Sequence, residues 1–239
     1  MDNIVGRLQS VFSSHQIDVL IGSLLGDARL ECRSAGVHTP VTARFRVHHG
    51  VKQKEYVFWK YEVLKNFVSK QPREISWTNP KRNLYEVFCY FHTRSVKELG
   101  ILHQYFYHQK IKILPEDIFE ILTPCMIAVW FMDDGSHNGG SLTLNTHSFS
   151  IEDQERVVEY FRIKFKINAK IVKDRTKWKI AIGQYDMLSF LSIIEPYIIP
   201  SMIYKIGNPR NDFALYAQDY LSIADGKTSV PNLGNLEKV

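Results

Sequence analysis

The sequence predicts an α+β protein made of two similar halves, each with an αββαββα-like element order. An apolar helical run that ends in an aspartate occurs twice, and the two aspartates, Asp27 and Asp134, are 107 residues apart. Each run is followed by a strand, a helix, a hairpin with a basic tip and a further helix. A repeat of about a hundred residues indicates tandem domains rather than a solenoid.

The two aspartate-ended helices, residues 20–28 and 127–135, are called the motif helices below. The last turn of a helix carries roughly half a negative charge, so an aspartate there is unfavourable unless a cation compensates it. Two such ends at matching positions suggest a metal site shared by two helices. Gly22 and Gly26 lie one turn apart on one face of the first motif helix, where small residues let two backbones approach.

The strand that follows each motif helix, at residues 43–49 and 141–147, has one polar and one apolar face. In the first strand, alternation places Phe45 and Val47 on the apolar face. The polar faces carry Arg44, Arg46 and His48 in the first half, and Thr143, Asn145 and His147 in the second. A two-stranded ribbon of this kind can enter a DNA major groove, where Arg and Asn side chains read base edges.

The hairpins at residues 74–87 and 170–182 have polar, basic tips whose cations would contact phosphates. The hairpin residues expected at DNA are Trp77, Asn79, Lys81 and Arg82 in the first half, and Lys170, Lys173, Arg175, Lys177 and Lys179 in the second. A helix precedes each hairpin, at residues 56–68 and 151–164. Ser150 opens the second of these helices in the manner of a capping box.

Each half closes with a helix and a short basic segment. The helices are expected at residues 96–107, opened by Ser95 and Glu98, and at residues 187–194, opened by Asp186. The basic segments, residues 109–115 and 201–206, contain Lys112 and Lys205. Thr123 and Pro124 supply the N-cap and first residue of the second motif helix.

The composition fits a globular intracellular protein. The chain has 239 residues, of which 45% are hydrophobic, and a net charge of +5, which favours a polyanionic partner. Cys32, Cys89 and Cys125 form no CxxC pair and are expected to be reduced. The first residues show no signal-peptide pattern, and no apolar run is long enough to span a bilayer, so no membrane association is expected. We predict a flexible tail at residues 225–239.

The histidines of the chain show no pattern of a metal or nuclease site. His48, His49, His103 and His108 lack the spacing of zinc ligands and are expected to be surface or groove residues. The segment Ser136-His137-Asn138 lacks the second histidine of an HNH nuclease site and is expected to be a loop.

A specific signal comes from the run Trp-Phe-Met-Asp-Asp-Gly at residues 130–135, followed by Leu-Asn-Thr-His-Ser-Phe at residues 144–149. With the Gly-Asp-Ala ending at residues 26–28 and the run Tyr-Ile-Ile-Pro-Ser-Met-Ile-Tyr-Lys at residues 197–205, the chain resembles the LAGLIDADG homing endonucleases in their single-chain, two-motif form. The resemblance runs through most of the chain.

The resemblance implies two subdomains, at residues 1–118 and 119–224, related by a pseudo-twofold axis between the motif helices. Their antiparallel sheets would form a saddle on double-stranded DNA. It also implies a monomer with no obligate protein partner, a target site that is long and asymmetric, and cleavage that leaves short 3′ overhangs. Such a protein would be encoded by an intron, promote intron mobility, and act in an organelle (mitochondrion or chloroplast) or in a microbial cytoplasm.

The same resemblance implies catalytic roles for Asp27, Asp134, Lys112 and Lys205. The two aspartates would bind Mg²⁺, with Gly26 and Asp133 at the adjoining metal positions. Mn²⁺ would substitute for Mg²⁺, and Ca²⁺ would bind without supporting cleavage. The lysines would stabilise charge that develops on the phosphate.

The chain departs from the family pattern at several positions. Leu25 stands where the consensus has its first aspartate, Val129 stands where the first motif has Gly22, and His147 stands where similar chains carry glutamine. Two other functions remain open on the same fold. One is an intron maturase that binds RNA, and the other is a DNA-binding protein without catalysis.

Overall fold

The computed structural model describes residues 4–32, 41–79 and 84–207, and the helices and strands of its two halves follow one order. The first half contains α1 (Ile4–Leu8), α2 (Ser14–Leu25), β1 (Arg29–Glu31), β2 (Arg44–Gly50), α3 (Lys54–Leu64), β3 (Arg73–Asn79), β4 (Leu84–His92), α4 (Lys97–Phe106), β5 (Tyr107–His108) and β6 (Ile111–Lys112). The second contains α5 (Ile118–Ile121), α6 (Pro124–Asp134), β7 (Gly135–His137), β8 (Leu142–Leu144), α7 (Ile151–Phe165), β9 (Lys170–Asp174), β10 (Lys177–Ile182) and α8 (Gln184–Ile194). Short 3₁₀ helices include Val51–Gln53, Lys65–Phe67, Glu195–Tyr197 and Pro200–Lys205.

The two halves contain antiparallel sheets with the same strand order. The first sheet has the order β1-β2-β4-β3 and the second has the order β7-β8-β10-β9. With α2, α3 and α4 in one half and α6, α7 and α8 in the other, each half has the predicted order αββαββα. The α+β fold class and its internal repeat are therefore confirmed.

Local capping explains where several helices begin. The hydroxyl of Ser150 accepts a hydrogen bond from the Asp153 N–H at 3.1 Å, and that of Thr123 accepts one from the Met126 N–H at 3.1 Å, as the sequence predicts. The predictions for Ser95 and Asp186 were wrong. Val96 and Gly183 are the N-caps of α4 and α8, and neither provides a side-chain cap.

The second-half strand is shorter than predicted. Residues 141–147 give only β8, because the chain turns after Leu144. The Asn145 N–H donates to the Asp134 carbonyl at 3.0 Å, and the Thr146 N–H donates to the Leu144 carbonyl at 3.0 Å. Two three-residue strands, β1 and β7, complete the predicted order of each half, but the residue pattern did not locate them, since runs this short carry little periodicity. The expectation of a loop at residues 136–138 was wrong for Ser136 and His137, which lie in β7.

One continuous core joins the two halves. Buried side chains from α2, β2 and α4 belong to the same cluster as those of α6, α7 and β10. A smaller cluster, formed by Val19, Tyr56, Val129, Met132 and Met202, lies beside the motif helices. All three cysteines are free. Within the described ranges, no helix combines the length and apolarity needed to cross a membrane.

Candidate active site

The motif helices α2 and α6 pack closely where glycine in one faces a larger residue in the other. A Cβ atom added to Gly22 would lie 2.7 Å from the Cβ of Val129, and one added to Gly26 would lie 2.5 Å from the Cβ of Asp133. Each pair holds equivalent positions in the two motifs. At both of these contacts, the close approach of the helices therefore depends on the glycine of the first motif.

This packing brings the helix ends together, and with them Asp27 and Asp134. The side chain of Asp27 is half exposed, at 50%, and Asp134 is partly buried. Burial, followed by the negative charge of Asp133, raises the pKa of Asp27. Burial, followed by the charges of Asp27 and Asp133, raises the pKa of Asp134 to about 8. A site that raises the pKa of two carboxyl groups would gain free energy from a bound cation.

Lys112 and Lys205 bind equivalent backbone atoms in the two halves. The Lys112 ammonium donates to the carbonyls of Gly26 and Ala28, at 2.6 and 3.3 Å. The Lys205 ammonium donates to the carbonyls of Asp133 and Gly135, at 3.0 and 2.8 Å. These carbonyls flank Asp27 and Asp134 respectively.

Each lysine thus supplies the cation that an aspartate at a helix C-terminus requires. Burial lowers the pKa of both lysines, and the three nearby aspartates oppose that shift. An ammonium group has three N–H donors, and two are used on the carbonyls. One donor on each lysine is therefore left for a further acceptor.

Sequence reasoning missed two buried polar residues beside Asp27. Lys60 is fully buried, and its ammonium contacts the Asp133 carboxylate at 2.7 and 3.0 Å. The His49 ring lies between two carboxylates, with Nδ1 at 3.8 Å from Asp27 and Nε2 at 3.6 Å from Asp133. The interpretation of His49 and His103 as surface or groove residues was wrong, because both are buried.

Both residues leave a signal in the sequence. In β2 the apolar face reads Phe45, Val47, His49, so a histidine stands where alternation predicts a core residue. In α3 the buried positions Tyr56 and Lys60 are one turn apart, so a lysine stands on the apolar stripe. Burial lowers the pKa of His49 to about 4, so the ring is neutral at neutral pH.

The donor atoms fit a hard divalent cation. Mg²⁺ prefers carboxylate oxygens and retains several waters, and Asp27 and Asp134 supply the carboxylates. The side chain of Asp133 is taken by Lys60, and the carbonyls of Gly26 and Asp133 are bound by the two lysines. Each carbonyl keeps a second lone pair, so the roles of Gly26 and Asp133 as metal ligands stay predictions.

The first sheet brings most of its predicted DNA-binding residues to one face. Glu31 on β1 forms ion pairs with Arg29, Arg44 and Arg46, at 2.8, 2.7 and 3.3 Å. His48 stacks on Phe88 at 4.6 Å between ring centroids. The pairing of β2, β4 and β3 places Arg73, Ile75 and Trp77 on this same face, and the Trp77 side chain is exposed.

Three further predictions in this sheet concern residues at the hairpin tip. Asn79 holds the last position of β3, in register with Leu84. Lys81 and Arg82 lie outside the described residues. Their contacts with DNA therefore remain predictions from sequence.

The prediction that Thr143, Asn145 and His147 share one strand face was wrong. Thr143 is buried, and its hydroxyl lies 2.7 Å from that of Ser136. Asn145 and His147 follow the end of β8, because the chain turns there. His147 instead lies beside the second hairpin, with Nε2 at 3.3 Å from the Asp174 carboxylate.

The second hairpin divides its cations between two faces. The register pairs Lys177 with Asp174 and Ala181 with Lys170, which places Lys170, Lys177 and Lys179 on one face. Lys173 pairs with Trp178 on the opposite face. Lys179 and His147 both contact Asp174, and Arg175 occupies the turn with φ of 57°. Three residues of the predicted basic group, Lys170, Lys177 and Lys179, therefore share a face.

Comparison with known proteins identifies this arrangement. The sequence matches the family model of the LAGLIDADG DNA endonuclease family over residues 17–190. Cytochrome b mRNA maturase bI2 of Debaryomyces hansenii is 29% identical over 205 residues, which span 80% of this chain and 73% of the relative. DNA endonuclease I-ChuI of Chlamydomonas applanata is 27% identical over 213 residues, which span 82% of this chain and 96% of the relative.

A solved structure shows the same fold in contact with DNA. The homing endonuclease I-WcaI, bound to its DNA recognition sequence, superimposes with a TM-score of 0.75 at 28% identity. The match covers 82% of this chain and 87% of that one. The chain spans only 50% of another similar protein, cytochrome b mRNA maturase bI2 of Saccharomyces cerevisiae.

Proposed function

Because the chain belongs to the LAGLIDADG DNA endonuclease family, we propose that it is a sequence-specific endonuclease that hydrolyses both strands of DNA. Its target is a long asymmetric site, and the products carry short 3′ overhangs. The observation that carries the proposal is the paired geometry at the ends of the motif helices. Two lysines bind the carbonyls on either side of two aspartates whose pKa values are raised.

The reaction divides between carboxylates and cations. Asp27 and Asp134 would hold divalent metal, which when bound activates water and neutralises charge on the phosphate. Mg²⁺ is the proposed ion, with Mn²⁺ as a substitute and Ca²⁺ as a bound but inactive one. The free N–H donors of Lys112 and Lys205 would stabilise the negative charge that develops on each scissile phosphate. Each aspartate and its neighbouring lysine would serve one strand.

DNA recognition falls to the two sheets. The arginines of the first sheet and the lysines of the second would contact phosphates, while His48, Trp77, Asn145 and His147 would contact bases. The subdomains, residues 1–118 and 119–224, would straddle the site as a monomer in which the sheets form a saddle. The two halves carry different side chains on these surfaces, so the proposed site is asymmetric.

Splicing is the second candidate function. Two similar chains are named mRNA maturases, and another is named an intron-encoded endonuclease, which supports an intron-encoded origin. A maturase needs no catalytic carboxylates. The presence of both aspartates and both lysines therefore favours cleavage, with or without an added role in splicing.

The test is cleavage of a randomised double-stranded DNA library by the purified protein, in Mg²⁺, Ca²⁺ or EDTA, with sequencing of the ends. We expect cuts at one long motif in Mg²⁺ alone. Asp27→Asn and Asp134→Asn should each lower cleavage at least about 10²-fold and leave binding of the selected DNA within a few fold of wild type. Asp186→Asn, in the first turn of α8, is the control. Full cleavage by the double variant, or no cleavage with selective binding of intron RNA, would reject the proposal.

A further inference from the structure

Lys60 is a buried cation whose position the catalytic residues do not explain. It lies on α3 with a side-chain exposure of 0%, and its partner Asp133 is equally buried, at 0%. The ammonium also lies 4.3 Å from the centroid of the Tyr56 ring. Removing a charge from water is costly unless the partner is well placed. A fully buried pair at this position therefore calls for a specific role.

The ion pair is connected to Asp27 through the backbone. Oδ2 of Asp133 accepts a hydrogen bond from the Asp27 N–H at 3.2 Å, and Oδ1 lies 3.6 Å from Nε2 of His49. Lys60 holds both oxygens of the same carboxylate, at 2.7 and 3.0 Å. A side chain of the first half thus fixes a carboxylate of the second half, and that carboxylate fixes the backbone of Asp27.

Among the described residues, the arrangement has no counterpart at the equivalent position of the first motif. Asp133 is equivalent to Gly26, which has no side chain to form a second ion pair. The lysines at the carbonyls are, by contrast, equivalent in the two halves. The polar cluster of Lys60, Asp133 and His49 therefore makes the surroundings of Asp27 different from those of Asp134.

We propose that Lys60 is a positioning residue that withholds the Asp133 carboxylate from the metal and orients Asp27. With Lys60 in place, the cation meets two free carboxylates, Asp27 and Asp134. Without it, Asp133 becomes a third carboxylate beside them, and the cation is drawn away from its productive position. The inference rests on the proposed endonuclease function and adds an asymmetry to it: Lys60 controls cleavage of the strand served by Asp27.

The first test measures ion binding without DNA. Calorimetric titration of the full chain with Ca²⁺ at pH 8 should show tighter binding by Lys60→Met than by wild type, on the order of tenfold, because a positive charge close to the ion is lost. Lys60→Met/Asp133→Asn should return to within about threefold of wild type, since the negative charge is removed as well. Lys65→Met is the matched control, because Lys65 is exposed and pairs with the exposed Glu62.

The second test measures each strand separately on a supercoiled plasmid that carries the selected target. Lys60→Met should slow one strand on the order of tenfold more than the other, so that nicked plasmid accumulates, whereas the double variant should recover part of the balance. If Lys60→Met does not fold, the Ca²⁺ affinities of the double variant and of Asp133→Asn test the inference instead. Asp133→Asn leaves Lys60 unpaired, so it should weaken Ca²⁺ binding.

The outcomes separate this inference from the proposed function. Unchanged Ca²⁺ affinity in Lys60→Met, or equal slowing of both strands, would reduce Lys60 to a structural residue and overturn the inference while leaving the endonuclease intact. If the wild-type protein cuts no DNA, the endonuclease proposal fails, and the Ca²⁺ titrations still decide whether Lys60 shields Asp133.

Discussion

Asp134 shows most directly how individual residues would favour a cation at the proposed site. Its pKa is raised from 3.8 to about 8 by burial and by the charges of Asp27 and Asp133. Between these two pH values the folded protein holds a proton that the unfolded chain has lost. Asp134 therefore contributes a loss of stability to the folded state as pH rises from about 4 to about 8 when no metal is present.

A divalent ion should remove this penalty by displacing the proton. We expect Ca²⁺ to raise the melting temperature more at pH 8 than at pH 5.5, and its binding at pH 7 to release about one proton per chain. Calorimetry in two buffers of different ionisation enthalpy measures the proton directly. Asp134→Asn should reduce both the proton release and the pH dependence of the Ca²⁺ effect. A Ca²⁺ effect of equal size at both pH values would show that Asp134 is already ionised.

At the scale of helices and strands, the sequence predicts those features that repeat with a regular period. Residue spacing predicts the apolar runs of α2 and α6, the alternation in β2 and the basic hairpins. It also predicts that Asp27 and Asp134 belong to one site. Residues that break a pattern were harder to interpret. His49 and Lys60 stand at core positions, and only the structure shows that Asp133, from the other half, explains their burial.

The shortening of β8 has a similar origin. The sequence alternates as a strand over Leu142, Thr143 and Leu144. It does not indicate that the chain turns towards α6 at the next residue. That turn depends on the hydrogen bond from the Asn145 N–H to the Asp134 carbonyl. The local sequence pattern therefore could not predict contacts between residues that are distant in the chain or that lie in different elements.

The contact between the motif helices gives a prediction of unusual sign. Alanine usually stabilises a helix relative to glycine, by up to about 1 kcal/mol. At Gly22, however, a Cβ would lie 2.6 Å from the Met126 carbonyl oxygen and 2.7 Å from the Val129 Cβ. Gly22→Ala should therefore destabilise the protein by about 1–3 kcal/mol, measured by urea unfolding. Gly140→Ala, where the added Cβ meets open space, is the control. A stabilised Gly22→Ala variant would show that the helices can move apart freely.

For the whole molecule, the two sheets carry positive charge in different forms. The first sheet gathers Arg29, Arg44 and Arg46 around one carboxylate, Glu31. The second presents Lys170, Lys177 and Lys179 on one face, with Asp174 bound to His147 and Lys179. Arginine binds phosphate and guanine through a rigid fork, whereas lysine acts as a mobile point charge. Two sheets that differ in this way should distinguish the two ends of one DNA site.

Footprinting on the selected target tests this division of labour. Arg44→Ala/Arg46→Ala should lose protection at one end of the site, and Lys177→Ala/Lys179→Ala should lose protection at the opposite end. Each variant removes up to two phosphate contacts, so the slope of log Kd against log salt should decrease by up to about 2. Arg162→Ala is the control, because Arg162 lies on α7 and pairs with Glu159. If both double variants lost protection at the same end, the two sheets would not straddle the site. The asymmetric pairing of halves with half-sites would then be wrong, even if the protein still cleaved its target.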